Sequence, residues 1–330
     1  MRRPNRSPRL VAVCLAGRTA ESISENKRRI GLLKEIVEFV RDQGDWLPID
    51  AIVLPGGLFR LDAPLARKSH EERVKVIEKS SFGFAAMEIC RALDASTSGV
   101  PLVFGVLADG RASHERPEQA CIAINARGVQ GIARKIFPTD VETDGRRFLL
   151  QSTADFTSSG RFLELKNGST AVLSACYDLF GLAEDPKSPS IRTRAIRHLW
   201  DGGRIIKRGD DGFRELRDRC LSAWRQQLKE KAPDVAIATI HGFELPGRDG
   251  YWQRHGIAAA SAAIKGGLVV GAANFTRQLP SGETSSLAAK RVPKSHLDDP
   301  LHRTARSLRP IAVADLPGPK PRALVRLFTA

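Results

Sequence analysis

No apolar run in this chain of 330 residues reaches the ~18–20 residues that a membrane-spanning helix needs, which argues against an integral membrane protein. Cysteine is sparse and odd in number: Cys14, Cys90, Cys121, Cys176 and Cys220, with no C-x-x-C pair. That spacing argues against a disulfide framework or a zinc site. It leaves most of the thiols as small buried apolar groups and one free for chemistry. Aromatic residues make up 6% of the chain and are not interleaved with basic ones as a base-stacking platform would require. Phosphate-loop, serine-elbow, zinc-protease and calcium-loop signatures are all missing: there is no G-x-x-x-x-G-K-[ST], no G-x-S-x-G, no H-E-x-x-H and no acidic metal loop. No metal and no cofactor are therefore expected. There is no internal repeat, and no break in composition marks a boundary before residue 276.

What is present reads as a soluble globular protein: 42% hydrophobic and 27% charged residues. The opening MRRPNRSPRL is basic and runs into VAVCLAG, too short an apolar run for a secretory signal. We read it as a tail entering the first strand, with a cytoplasmic location expected. The net charge is +15, which raises a polyanionic partner. Basic pairs recur at Arg2–Arg3, Arg28–Arg29, Arg134–Lys135, Arg146–Arg147 and Lys290–Arg291, yet no dense block forms. General basicity is favoured over a dedicated nucleic-acid site.

Apolar strands alternate with amphipathic helices, the pattern of α/β layering. Strands are expected at Leu10–Leu15, Asp50–Pro55, Val100–Val106, Gln119–Asn125, Gly128–Arg134, Phe162–Leu165, Thr170–Cys176, Asp234–His241 and Leu268–Asn274. Helices are expected over Asn26–Arg41, Arg67–Ala92 and Trp252–Lys265, and at the end of the polar stretch Glu184–Arg219. That stretch is either a cover for a pocket or a surface loop. Asn167-Gly168 is a strong hairpin turn. Gln278–Pro321, rich in Pro, Ser, Arg and Lys, is expected as loop, tail or partner surface. The domain reading is a basic tail over 1–9, one domain over 10–276 and an extension over 277–330.

Three segments carry chemistry. Ala171-Val172-Leu173-Ser174-Ala175-Cys176-Tyr177-Asp178 is an apolar strand running into a cysteine. A strand end fixes a thiol while leaving it open to a pocket, and its thiolate is a nucleophile. Taken alone, a core cysteine is the commoner fate. Arg134-Lys135-Ile136-Phe137-Pro138-Thr139-Asp140-Val141-Glu142 places a lysine and a glutamate seven apart around Pro-Thr. The plain alternative is a surface ion pair. Asp50-Ala51-Ile52-Val53-Leu54-Pro55-Gly56-Gly57-Leu58-Phe59 is a strand closed by a glycine turn.

In order and spacing, over Leu10 to Thr276, these segments resemble the nitrilase, or carbon–nitrogen hydrolase, superfamily. The resemblance implies a four-layer αββα sandwich. It implies Cys176 as nucleophile, Lys135 stabilising an oxyanion and favouring the thiolate, and Glu142 positioning the site. It implies hydrolysis of a non-peptide amide, carbamoyl or nitrile group through a thioester, in a homodimer or larger assembly. The chain departs from the pattern after Pro55, where the family's general-base glutamate gives way to Gly56 and Gly57. Three explanations stay open. The chain is an inactive binding or interaction protein, with a polyanion among its candidate partners. Or another carboxylate, Glu142 or Glu244, supplies the base. Or Gly56 and Gly57 enlarge the pocket for a different substrate. Tyr177, His241, Glu244, Gly56 and Gly57 are the candidate substrate contacts, and His241 and Glu244 are also candidate bases.

Overall fold

The strands of this chain are continuous apolar runs rather than alternations, so both faces of each sheet must be covered. The computed structural model describes residues 6–92, 99–110, 115–139, 142, 148–182, 195–244, 256–280, 287–291, 305–318 and 322–329. Along the chain the elements are β1 (Arg9–Ala16), α1 (Asn26–Asp42), β2 (Ala51–Val53), β3 (Phe59–Leu61), α2 (His70–Lys79), α3 (Ser81–Ala92), β4 (Leu102–Ala108), β5 (Glu118–Asn125) and β6 (Gly128–Arg134). There follow β7 (Gln151–Ser152), β8 (Phe162–Glu164), β9 (Thr170–Ala175), α4 (Asp178–Gly181), β10 (His198–Trp200), β11 (Ile205–Lys207), α5 (Phe213–Lys231), β12 (Val235–Phe243) and α6 (Ala258–Ala263). The chain closes with β13 (Leu268–Phe275), β14 (Ala288–Arg291), β15 (Ala305–Ser307), β16 (Ala312–Asp315) and β17 (Ala323–Thr329).

The hydrogen-bonded ladder divides into two sheets that meet at one corner. One runs β6-β5-β4-β2-β1-β17-β16, the other β15-β14-β13-β12-β9-β8. Among the described residues they join only where Leu15 and Ala16 of β1 pair with Asn274 and Phe275 of β13. Away from that corner β1 turns to β17 and β13 turns to β14, so the sheets separate and stack face to face.

Each layer has its own core. Between the sheets lie Leu10, Ala12, Val53, Cys121, Ala123, Ala133, Ala171, Leu173, Ala175, Ile237, Val270 and Ala272. The many alanines let two main-chain layers approach closely. Outside the first sheet, Val11, Val13 and Leu15 pack on Leu33, Ile36, Val37 and Val40 of α1 and on Phe82 and Ala86 of α3. Outside the second, Val172, Ala236, Ala238 and Ile240 pack on Leu221 and Trp224 of α5 and on Ala260 of α6. The order helix, sheet, sheet, helix is the four-layer arrangement expected.

Three details differ from the sequence reading. Arg67–Ala92 is two helices rather than one. Ser80 breaks it in an extended conformation, its hydroxyl donating to the Ile77 carbonyl (2.6 Å) and accepting from the Gly83 N–H (3.1 Å). The final helix of the polar stretch continues to Lys231, and β10 and β11 precede it; residues 184–194 lie outside the described residues, as do 252–255 of the expected Trp252–Lys265 helix. The region expected as loop or tail supplies β14, β15 and β16, although 281–286, 292–304 and 319–321 of it lie outside the described residues. β17 follows that region and pairs with β1 from Arg9 through Leu15. Six of its seven residues are buried.

Candidate active site

The site forms at the joined corner, past the carboxyl ends of β1, β2, β9, β12 and β13. β9 delivers Cys176, whose backbone enters the left-handed region (φ 50°). A non-glycine residue held there is strained, and such strain collects at functional sites. The Cys176 N–H still reaches β12, donating to the Thr239 carbonyl (3.0 Å). Directly after it, Asp178 of α4 accepts from the backbone N–H groups of Ile136 (2.9 Å) and Phe137 (3.0 Å) and pairs with Arg161 (3.1 Å). Asp178 therefore ties the segment that carries Lys135 to the turn that carries Cys176.

Lys135, 1% exposed, sits at the end of β6. Its ammonium donates to both oxygens of Glu142 (2.7 Å each) and to Oε1 of Gln119 (2.9 Å). Glu142 is filled: Oε1 also accepts from Gln119 Nε2 (2.7 Å), and Oε2 from the Thr139 N–H (2.7 Å) and hydroxyl (3.0 Å). Burial opposes both charges, but the pair outweighs it. Glu142 stays below the usual carboxylate range, and Lys135 is raised by the field of the Cys176 thiolate and of Glu142. Cys176 as a whole is 7% exposed. Burial pushes its pKa up; Lys135 and the backbone N–H groups of His241 and Tyr177 pull it down without cancelling that rise. Lys135 thus pulls toward the thiolate, yet the resting group is the thiol.

The other proposed contacts divide. The Tyr177 ring lies 5.4 Å from the Lys135 ammonium and stacks on Phe180. His241 stands at the bulge of β12, where the register with β13 slips between Ile240 and Gly242. Both of its ring nitrogens are shielded from solvent and have no hydrogen-bond partner among the described residues. Burial and the Lys135 charge, opposed by Glu142, push its pKa down to about 3, so the imidazole is neutral. Glu244 lies apart, exposed at the end of β12 and paired with Arg277 (2.5 Å).

Gly56 and Gly57 do not widen a cavity. A Cβ at Gly56 would lie 2.9 Å from main-chain atoms of Thr239, Ile240 and His241. One at Gly57, where φ is +61°, would lie 2.7 Å from Thr19. The turn packs against the bulge: the Gly56 N–H donates to the Ile240 carbonyl (2.9 Å), and Asn274 donates to the carbonyls of Gly56 (3.0 Å) and His241 (2.6 Å). The enlarged-pocket expectation fails because glycine here permits two main chains to touch. Glu142 as base also finds no support, since its oxygens are occupied. Gln119 and Asn274 are site residues that the sequence reading missed; a polar residue on an otherwise apolar strand was their only signal.

Two stacked sheets joined at one corner, each covered by helices on its outer face, decide the architecture. This is a nitrilase-type αββα sandwich. No family model and no curated protein matches the chain. Solved structures similar to the nitrilase-type sandwich seen here include an amidase from Nesterenkonia sp. (11% identity, TM-score 0.49, covering 99% of this chain and 92% of that one). A CN-hydrolase superfamily protein from Xanthomonas campestris is also similar (13% identity, TM-score 0.47, 98% and 91% covered). So is a carbon-nitrogen hydrolase from Helicobacter pylori G27 (11% identity, TM-score 0.46, 97% and 89% covered).

Proposed function

We propose that this chain is a carbon–nitrogen hydrolase that cleaves a non-peptide amide, carbamoyl or nitrile group through a thioester on Cys176. The observation that carries the reading is the buried Lys135–Glu142 pair set beside the strained Cys176. A buried ion pair costs desolvation and is a poor device for stability alone. Beside a thiol it has a use. The Cys176 sulfur attacks the substrate carbon, and the carbonyl electrons move to oxygen. A fixed ammonium is worth most against charge that appears only in that transition state. Glu142 holds Lys135 protonated and in place. Ammonia or an amine leaves, and water hydrolyses the thioester. Tyr177 offers an aromatic wall beside Lys135. By the resemblance to the nitrilase superfamily, a homodimer or larger assembly is the expected form.

A second reading is favoured by the turn at Gly56, where no side chain fits. In it the sandwich is an inactive binding protein whose basic surface holds a polyanion. Ammonia release from a panel of amides, carbamoyl amino acids and nitriles separates the two. Release by the wild-type protein and none by Cys176→Ala supports the hydrolase. Equal release by both sinks it, and silence across the panel moves the case to the binding protein.

A further inference from the structure

Side chains along β5 and β6 alternate between two faces, and Ala120 of β5 lies opposite Arg134 of β6. On that face Glu118 takes Arg134 into the buried ion network (3.0 Å). One step along, on the other face, Gln119 stands opposite Lys135, and the Lys135 N–H donates to the Gln119 carbonyl (2.8 Å). The Gln119 side chain then closes a ring of three polar groups. Its Oε1 accepts from the Lys135 ammonium (2.9 Å), its Nε2 donates to Oε1 of Glu142 (2.7 Å), and Glu142 accepts from Lys135 (2.7 Å). An ammonium only donates and an ionised carboxylate only accepts, so a group set between them must do both. A primary amide does both and carries no charge. A glutamate there would set a second negative charge against Glu142, and a methionine would serve neither partner. Glu142 alone would leave a compact ammonium on a flexible four-carbon stem to swing about one carboxylate. A second acceptor on β5 removes that freedom.

We propose that Gln119 is the positioning residue that aims the Lys135 ammonium at the Cys176 site. The proposal rests on the thiol-hydrolase reading above and adds to it a residue that acts through Lys135 rather than on the substrate. A donor stabilises developing charge best when it is already in place, since nothing then has to reorganise as the oxyanion forms. A misplaced donor forfeits that gain in the transition state and leaves ground-state binding largely alone. The same aim serves the sulfur. Burial opposes the Cys176 thiolate, Lys135 favours it and Glu142 opposes it. An ammonium that drifts back over Glu142 therefore pulls less on the sulfur.

The test compares wild type with Gln119→Met and Gln119→Asn, each checked for an unchanged urea midpoint. Methionine keeps the length and loses both bonds; asparagine keeps the amide and loses the reach. Where the methionine variant fails to fold, the asparagine variant decides. Steady-state ammonia release on the amide panel is measured beside the pH profile of Cys176 alkylation by iodoacetamide, located by peptide mass mapping. The expected result is a kcat lowered on the order of 10-fold or more with KM nearly unchanged, the scale of one hydrogen bond to a charged group. The alkylation profile should move to higher pH. A glutamine that only fills space would move neither the split between kcat and KM nor the profile. Wild-type kcat and profile in a folded variant overturn the role of Gln119 and leave the thiol reading standing. A profile that stays in place or moves to lower pH overturns that role too, whatever the rate. On a silent panel the alkylation profile alone decides for or against Gln119. A wild-type Cys176 that neither alkylates nor releases ammonia overturns both readings.

Discussion

At the residue scale the account turns on how few atoms separate a working position from a closed one. Gly56→Glu would place a carboxylate where the resembled nitrilase superfamily carries one. Here its Cβ would come within 2.9 Å of three main-chain atoms of β12. Overpacking of that kind costs about 1–3 kcal/mol. The expected outcome is a lower urea midpoint with no gain in turnover, read by denaturation and ammonia release together. Lys135→Met removes the ammonium and leaves Glu142 largely buried without its partner. Breaking a buried pair from one side costs about 3–5 kcal/mol, so a clear loss of thermal stability should accompany the loss of activity. The pH response follows from the same neighbours. With the Cys176 thiol raised, its alkylation rate should still be climbing past pH ~8.5, the ordinary thiol value. With His241 pushed down to about 3, the profile should show no step near the ordinary histidine value of ~6.5.

At the scale of elements, Asp178 joins two of them, holding the end of β6 to the turn after β9. Asp178→Asn keeps an acceptor for those amides but leaves Arg161 buried without a charge partner. Lower stability and a lower kcat should appear together, measured by urea titration and single-substrate kinetics. Much at this scale was legible in the sequence. Lys135, Glu142 and Cys176 stood out because the order and spacing of their segments resemble the nitrilase superfamily; taken alone, Cys176 read as a core thiol. The layers followed from runs buried on both faces. What was not legible depended on pairing between distant segments. A bulge at His241 is a mismatch between β12 and β13, and neither strand shows it alone. Gln119 gains its place from a ladder with β6 that brings it to Lys135. The strand Ala323–Thr329 was hidden by the Pro- and Arg-rich stretch before it and by Arg326 in its middle. That arginine is buried beside Cys14 rather than exposed, so the usual polar signal of a tail misled.

At the scale of the molecule, the net charge of +15 does not come from the interior around the site. There Arg73, Arg134 and Arg161 are matched by Glu118, Asp155 and Asp178 in one buried network. Stability should therefore have a plateau. Glu142 and Asp155 are held below their ordinary values, so their contribution is present above pH ~4 and is lost as pH falls through their folded values. Asp178 is raised and works in the opposite sense in the same window. The thiols of Cys90 and Cys121, pushed up to about 12, and of Cys220, to about 11, contribute below pH ~8.5 and lose that contribution as pH rises toward those values. His241, held neutral to about 3, adds a contribution that is present above pH ~6.5 and lost as pH falls below it, so a urea midpoint that is flat between pH ~6.5 and ~8 and falls on both sides is expected. No described helix is long and apolar enough to cross a membrane. The central claim is that Cys176 forms a covalent bond to the carbon of an amide or nitrile. Rapid-quench mass spectrometry of the protein mixed with the substrate panel tests it most directly. The account predicts an acyl adduct on the Cys176 peptide that appears with ammonia and decays in water. Ammonia released with no adduct on that peptide, and still released by Cys176→Ala, would contradict it.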